Sequence, residues 1–128
     1  MNLLLIDDNI ADHLLFEECI HNNDNQRNIN NAFGALDGLK CLENMYNENK
    51  LPSLIITDLH MPEVDGLELL NILKMDIRFS SIPVVLLTIS SYIQTRHEEI
   101  GIPIFIKPFD SSEYEKVVER MLGYAACF

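Results

Sequence analysis

The sequence predicts an α/β fold in which a doubly wound, five-stranded parallel sheet carries helices on both faces. Short apolar runs alternate with longer amphipathic stretches along the 128 residues, which is typical of a repeated strand–helix pattern. The apolar runs do not alternate polar with apolar residues, as expected for parallel strands that are covered on both sides. One further strand candidate is polar and suits only a sheet edge. Together these observations favour the strand order 2-1-3-4-5, in which the second strand is peripheral.

Four strands are predicted from apolar runs and one from a polar segment. The apolar runs are Leu3–Ile6, Leu54–Ile56, Val84–Leu87 and Ile104–Ile106, and the polar segment is Asn28–Phe33. Crossovers between parallel strands are right-handed, which distributes the intervening helices over both faces of the sheet. A ligand crevice is expected at the carboxyl ends of the strands, near the reversal of strand order.

The first three helices are predicted from the residues that begin them. Asn9 precedes a helix that runs to about residue 22, and Gly34–Ala35 opens a second that runs to about residue 47. The segment Asp65-Gly-Leu-Glu68 matches a capping box, with Asp65 at the N-cap. It starts a third helix through about Ile77.

The last two helices differ in the clarity of their signals. A short helix is predicted between Ser91 and about Glu99. Asp110-Ser-Ser-Glu113 is a second capping box, and Gly123 suits the position after the helix end. Between them runs an apolar stripe at helical spacing, formed by Tyr114, Val117, Val118, Met121 and Leu122.

The composition excludes several classes of function. A net charge of −11 argues against nucleic acid and anionic membranes as partners, because both attract clusters of Lys and Arg. The apolar start is too short for a signal peptide, and no stretch reaches transmembrane length. Cys19, Cys41 and Cys127 are far apart and are interpreted as reduced thiols. We therefore expect a cytoplasmic protein with one domain over residues 1–128 and no output domain.

Charged and hydroxyl side chains follow the predicted strands where the crevice is expected. Strand one ends in Asp7-Asp8, strand three in Asp58, strand four in Thr88 and strand five in Lys107. Three ionised carboxylates in one crevice repel each other, so positive charge must compensate them. Lys107 supplies one charge. Mg²⁺ suits the remaining need for positive charge, because it binds few carboxylates and retains water or phosphate oxygens as ligands.

These residues predict phosphoryl transfer to a carboxylate. Asp58 is the preferred acceptor because it stands alone at a central strand end, and an aspartate can form an aspartyl phosphate. Asp7 and Asp8 would bind the cation, and the cation with Lys107 would neutralise phosphoryl oxygen charge. Thr88 could donate a hydrogen bond to a phosphoryl oxygen. Two simpler interpretations stay open at this point: Asp7-Asp8 could compensate a helix dipole, and Lys107 could extend to solvent from a surface strand end.

The ordered set of motifs resembles the receiver domain of two-component response regulators. Its parts are Asp7-Asp8, Asp58-Leu-His-Met-Pro-Glu-Val-Asp-Gly66, Thr88 and Lys107-Pro-Phe109. The resemblance spans essentially the whole chain. It implies a flavodoxin-like (βα)₅ fold, Mg²⁺ dependence, and phosphotransfer from a histidine kinase or phosphotransfer protein. It also implies that the backbone carbonyl of His60 is a metal ligand and that the Lys107–Pro108 bond is cis.

The resemblance further implies how such a chain signals. A stand-alone receiver catalyses only its own phosphorylation and dephosphorylation, and it relays the signal by altered binding to a downstream protein. The expected binding face consists of the fourth helix, fifth strand and fifth helix. Dimerisation through the same face is also allowed by the resemblance.

Two positions depart from the family pattern and leave rival functions open. Ile89 stands where a small residue is usual and is expected to narrow access to the acceptor. Ile104 stands where an aromatic residue is usual, which excludes an aromatic rotamer switch there. The first rival is an interaction module that works without phosphorylation. Others are a flavodoxin-like electron carrier and an aspartate-dependent phosphatase using His60. His13, His21 and His97 are interpreted as surface or helix-face residues.

Overall fold

The structure is a computed structural model, which describes residues 1–23, 27–89, 93 and 96–126. Five parallel strands form one sheet in the order β2-β1-β3-β4-β5. They are β1 (Asn2–Ile6), β2 (Asn28–Ala32), β3 (Leu54–Thr57), β4 (Val84–Thr88) and β5 (Ile104–Ile106). The predicted fold class and strand order are confirmed.

Helices connect the strands and cover both faces of the sheet. The helices are α1 (Ile10–Asn23), α2 (Ala35–Asn47), α3 (Gly66–Met75), α4 (His97–Ile100) and α5 (Ser111–Leu122). The predicted segment Ser91–Glu99 lies partly outside the described residues. No helix in the described ranges is both long and apolar enough to cross a membrane.

The apolar strands are buried on both faces, which explains why they show no alternating pattern. In β1, Leu3 and Leu5 pack into the core beneath α1 and α5. Leu4 and Ile6 pack into the opposite core beneath α2 and α3. Strand β2 lies at the sheet edge as predicted, and its Asn30 side chain donates a hydrogen bond to the Leu3 carbonyl. At this edge the side-chain amides of the polar strand find hydrogen-bond partners in β1 and in α1.

Three helix ends refine the predictions. Helix α3 ends at Met75, two residues before the predicted end, because Asp76 is extended and its carboxylate accepts from the Arg78 amide. Asp110 caps α5 through the amide of Ser112. Gly123 ends α5 in a right-handed conformation, φ −62°, so glycine is not required there by a left-handed turn.

Two of the three cysteines lie among the described residues. Cys19 is buried, Cys41 is half-buried, and neither takes part in a disulfide among the described residues. Cys127 lies outside those residues.

Candidate functional site

The predicted crevice exists at the carboxyl ends of β1, β3, β4 and β5. The Lys107 ammonium lies 2.8 Å from Asp7 Oδ2 and 3.1 Å from Asp58 Oδ2. These contacts join residues that are 100 and 49 positions apart in the chain. An open cleft of about 610 Å³ adjoins them. It is lined by Asp8, Asn9, Ile10, Asp12, Asp58, His60, Ile89, Lys107, Pro108 and Phe109.

Asp58 is held rigidly at the end of β3. Its amide donates to the Ile6 carbonyl at 2.9 Å, which continues the sheet by one residue. Its Oδ1 accepts a 2.7 Å hydrogen bond from the Leu59 amide, and its Oδ2 faces the ammonium of Lys107. Its side chain is only 11% exposed. One carboxylate oxygen is thus fixed by the main chain, while the other contacts a cation beside the cleft.

Gly66, the first residue of α3, lies against the main chain of Asp58 and Leu59. Its amide donates to the Leu59 carbonyl at 2.8 Å. A Cβ atom at this position would lie 2.4 Å from the Asp58 carbonyl oxygen and 3.0 Å from Leu59 Cα. Both contacts are to backbone atoms, so a side chain could be accommodated only by moving the Asp58 main chain.

We expect Gly66→Ala to lower the free energy of unfolding by about 1–3 kcal/mol, the usual cost of overpacking a tight site. Urea denaturation would measure it. Gly34→Ala is the matched control, since a Cβ there would meet nothing within 4 Å. Its expected loss is about 1 kcal/mol or less, because glycine is only a moderately better N-cap residue than alanine. Equal losses in the two variants would contradict the steric argument.

Asp7 and Asp8 differ in environment although they are adjacent. Asp7 is 1% exposed, and its Oδ1 accepts from the Asn9 amide at 2.9 Å. Burial raises the pKa of Asp7, and the nearby Asp58 charge adds to this, although hydrogen bonds from Lys107 and Asn9 oppose the rise. Asp8 is exposed. Oxygens of Asp7, Asp8 and Asp58 lie within 4.8 Å of one another, an arrangement able to hold a metal ion.

Lys107 is buried among carboxylates. Its side chain is 9% exposed, and its ammonium also lies 2.9 Å from Asp12 Oδ2. Burial alone would lower the pKa of Lys107, but hydrogen bonds to Asp7 and Asp12 raise it above its ordinary value. The ammonium is therefore charged at neutral pH. The described chain has no cis peptide, so the expected cis bond before Pro108 is wrong; Lys107 reaches the carboxylates from a trans bond.

Asp12 is a site residue that the sequence analysis missed. It lies in the first turn of α1, where acidic residues are common because they compensate the helix dipole. Its place in a first helical turn gave no sign of the contact with Lys107, which lies 95 positions away in the chain.

His13 was wrongly interpreted as a surface or helix-face residue. It is 3% exposed, and its Nε2 donates to the Asp7 carbonyl at 2.7 Å. Its Nδ1 lies 2.7 Å from Asn31 Oδ1, and the Asn31 amide donates in turn to Glu17. The imidazole thus ties the main chain after β1 to helix α1 and strand β2. An isolated histidine in a helical pattern gave no sign of this.

Thr88 and His60 occupy different parts of the site. Thr88 ends β4 with its side chain fully buried, and its carbonyl accepts from the Lys107 amide at 2.7 Å. The threonine side chain therefore lies behind the cleft surface. His60 is exposed and lines the cleft. The hydrogen-bonding role of the Thr88 hydroxyl and the ligand role of the His60 carbonyl stay predictions.

The two departures from the family pattern have distinct surroundings. Ile89 is 70% exposed and lines the cleft together with the exposed side chains of Ile10 and Phe109. The acidic cleft therefore has an apolar rim. Ile104 is 7% exposed and packs in a small core with Leu59 and Leu86. This core also contains Leu59, which directly follows the acceptor Asp58.

Comparison with known proteins identifies the family. The model of the "Response regulator receiver domain" family matches residues 3–119. The chain belongs to this family. Receivers are phosphoacceptor switches of two-component signalling rather than enzymes acting on other substrates, and they bind Mg²⁺ or Mn²⁺ in an acidic pocket.

Three relatives show the extent of the similarity. "Response regulator Rre1" of Synechocystis sp. is 41% identical over 81 residues, which is 61% of this chain and 35% of that protein. "Sporulation initiation phosphotransferase F" of Bacillus subtilis is 28% identical over 94% of this chain and 92% of its own length. The Mn²⁺-bound form of response regulator Rcp1 is 25% identical, with a TM-score of 0.77 over 95% of this chain and 91% of that one. The chain spans about a third of the length of Rre1.

Proposed function

We propose that this receiver accepts a phosphoryl group on Asp58 from a phosphohistidine donor and relays the signal by altered partner binding. The observation that carries the proposal is the contact of Lys107 with both Asp58 and Asp7 beside an open cleft. A carboxylate beside a buried cation and two further carboxylates has the composition expected for an acceptor that is completed by a divalent ion.

The proposed transfer is a displacement at phosphorus. A carboxylate oxygen of Asp58 forms the new P–O bond, the P–N bond of the phosphohistidine breaks, and the imidazole nitrogen leaves with the electron pair and takes up a proton. Lys107 donates a hydrogen bond to a phosphoryl oxygen and offsets its charge. The Thr88 hydroxyl donates to another oxygen once the group is in place. Hydrolysis of the acyl phosphate by water reverses the switch.

The residues present fit a hard divalent cation. Asp7, Asp8 and Asp58 supply oxygen ligands within 4.8 Å of one another, and the backbone carbonyl of His60 is the fourth proposed ligand. When bound, Mg²⁺ would neutralise the charge that develops on phosphoryl oxygens. The solved structure of Rcp1 with Mn²⁺ supports a divalent ion in this family of folds.

The proposed partners follow from the family and from the rim of the cleft. The donor is a histidine kinase or a phosphotransfer protein, and its apolar neighbours would pack on Ile10, Ile89 and Phe109. The downstream protein is proposed to bind the face of α4, β5 and α5, through which a homodimer would also form. The cytoplasmic location, the single domain over 1–128 and the exclusion of nucleic acid stay predictions.

Acetyl phosphate with Mg²⁺ tests the proposal directly. Intact mass should rise by one phosphoryl group in the wild type and in Glu119→Gln, which removes an exposed charge on α5. Asp58→Asn should show no adduct, and hydroxylamine should convert the adduct to a hydroxamate at Asp58. A folded wild type that binds Mg²⁺ yet gains no phosphoryl group would favour the phosphorylation-independent interaction module.

A further inference from the structure

The Lys107 ammonium has a third carboxylate partner that the proposed function leaves unused. Asp12 Oδ2 lies 2.9 Å from Lys107 Nζ, beside Asp7 at 2.8 Å and Asp58 at 3.1 Å. An ammonium has three hydrogens to donate, so these contacts fill its capacity. Asp12 is 17% exposed and lies outside the three-carboxylate group that could hold a metal.

Helix capping does not account for the position of the Asp12 side chain. Helix α1 is already capped by Asn9, whose Oδ1 accepts from the Ala11 amide and whose carbonyl accepts from the Asp12 amide. In a capping box, a Glu or Gln at the third helical position turns back toward the N-cap amide. The Asp12 carboxylate instead contacts a lysine 95 positions away.

A bound cation would change which carboxylates remain available as partners of Lys107. Asp7 and Asp58 belong both to the proposed cation site and to the hydrogen bonds of Lys107. A divalent ion there would draw on the same carboxylates and would repel the ammonium. Asp12 is the partner of Lys107 that the cation does not share.

We propose, building on the proposed function, that Asp12 is a positioning residue. It keeps the ammonium of Lys107 beside Asp58 when a divalent cation occupies the neighbouring carboxylates. The lysine then remains available to the phosphoryl group. Asp12 itself contacts neither the acceptor nor the transferred group in this role.

Amine-acylation footprinting read by mass spectrometry tests the position of Lys107 without measuring activity. Wild type, Asp12→Ala, Asp12→Asn, Asp12→Glu and Glu18→Gln are labelled with and without saturating Mg²⁺, with exposed Lys116 as the internal reference. Alanine favours helices, so the first variant should keep α1 intact. Glu18→Gln removes the same charge from an exposed position of the same helix.

The expected signature depends on Mg²⁺. Without it, Lys107 should stay protected in every protein, because Asp7 and Asp58 still hold it. With Mg²⁺, its labelling relative to Lys116 should rise about tenfold in Asp12→Ala, the effect of losing one charge-assisted hydrogen bond. Asp12→Asn should give a smaller rise, and Asp12→Glu should restore protection. Glu18→Gln should match the wild type.

Two results would overturn the inference while leaving the proposed function intact. One is equal protection of Lys107 in Asp12→Ala and wild type at saturating Mg²⁺, with acetyl phosphate still modifying Asp58. The other is an increase in labelling that is the same with and without Mg²⁺, which would indicate a general structural role. A wild type whose thermal stability does not respond to Mg²⁺ would instead reject the cation site, and the inference with it.

Discussion

Lys107→Met is expected to lower the free energy of unfolding by about 3–5 kcal/mol in metal-free buffer at neutral pH, the usual cost of removing one partner from a buried ion pair. The substitution removes the ammonium that contacts Asp7, Asp12 and Asp58 while leaving their carboxylates in place. Such a loss is a large part of the 5–15 kcal/mol that stabilises a typical domain. Urea denaturation would measure it.

The stability that Lys107→Met loses should depend on Mg²⁺ and on pH. Mg²⁺ should recover part of it, because a divalent ion can replace the missing positive charge. In the variant, the ammonium that opposes the raised pKa of Asp7 is missing, so the pKa of this buried carboxyl should rise further in the folded state. Its proton uptake favours folding, so the deficit should shrink as the pH falls.

Lys116→Met provides the control for loss of a lysine. Lys116 pairs with Glu113 at 3.2 Å, but its side chain is 69% exposed. Exposed pairs contribute about 0–1 kcal/mol, so this variant should remain close to the wild type. A Lys107→Met protein as stable as Lys116→Met would contradict the account of a buried cation balancing three carboxylates.

The fold and the main site residues could be predicted because both depend on local pattern and topology. An apolar run such as Leu3–Ile6 indicates a strand covered on both faces, and a polar segment such as Asn28–Phe33 suits only an edge. Once the strand order follows, the residues after β1, β3 and β5 must meet at one edge of the sheet. Asp7, Asp58 and Lys107 were found in this way.

The roles of Asp12 and His13 could not be predicted, because both residues carry ambiguous local signals. Asp12 resembles any acidic residue in a first helical turn, and His13 resembles any helical histidine. Their roles depend on contacts with Lys107 and with the Asp7 carbonyl, which only the packing of α1 against the sheet defines. The early end of α3 likewise depends on the contact of Asp76 with the Arg78 amide.

Asp7→Asn is expected to stabilise the metal-free protein and to abolish its stabilisation by Mg²⁺. Burial raises the pKa of Asp7 in the folded state, so its ionisation opposes folding. Because the pKa of Asp7 is raised in the folded state, the free energy of unfolding falls as the pH rises from the ordinary aspartate range through this raised pKa. It stays lower at neutral pH. Asparagine avoids this cost and can still accept from the Asn9 amide, so we expect a gain of about 0.5–2 kcal/mol, the usual range for a single stabilising substitution.

The loss of the Mg²⁺ response should be the larger effect. At Mg²⁺ concentrations 100 times the dissociation constant, a ligand that binds only the folded state adds about 2.7 kcal/mol. Asp7→Asn should lose this gain, because it removes a ligand charge from a site of three carboxylates. Glu119→Gln changes the net charge equally and should keep the full response, so thermal melts of both variants with and without Mg²⁺ measure the difference. A normal Mg²⁺ response in Asp7→Asn would place the cation away from Asp7, and an unchanged metal-free stability would show that burial of this carboxylate is not a cost of the site.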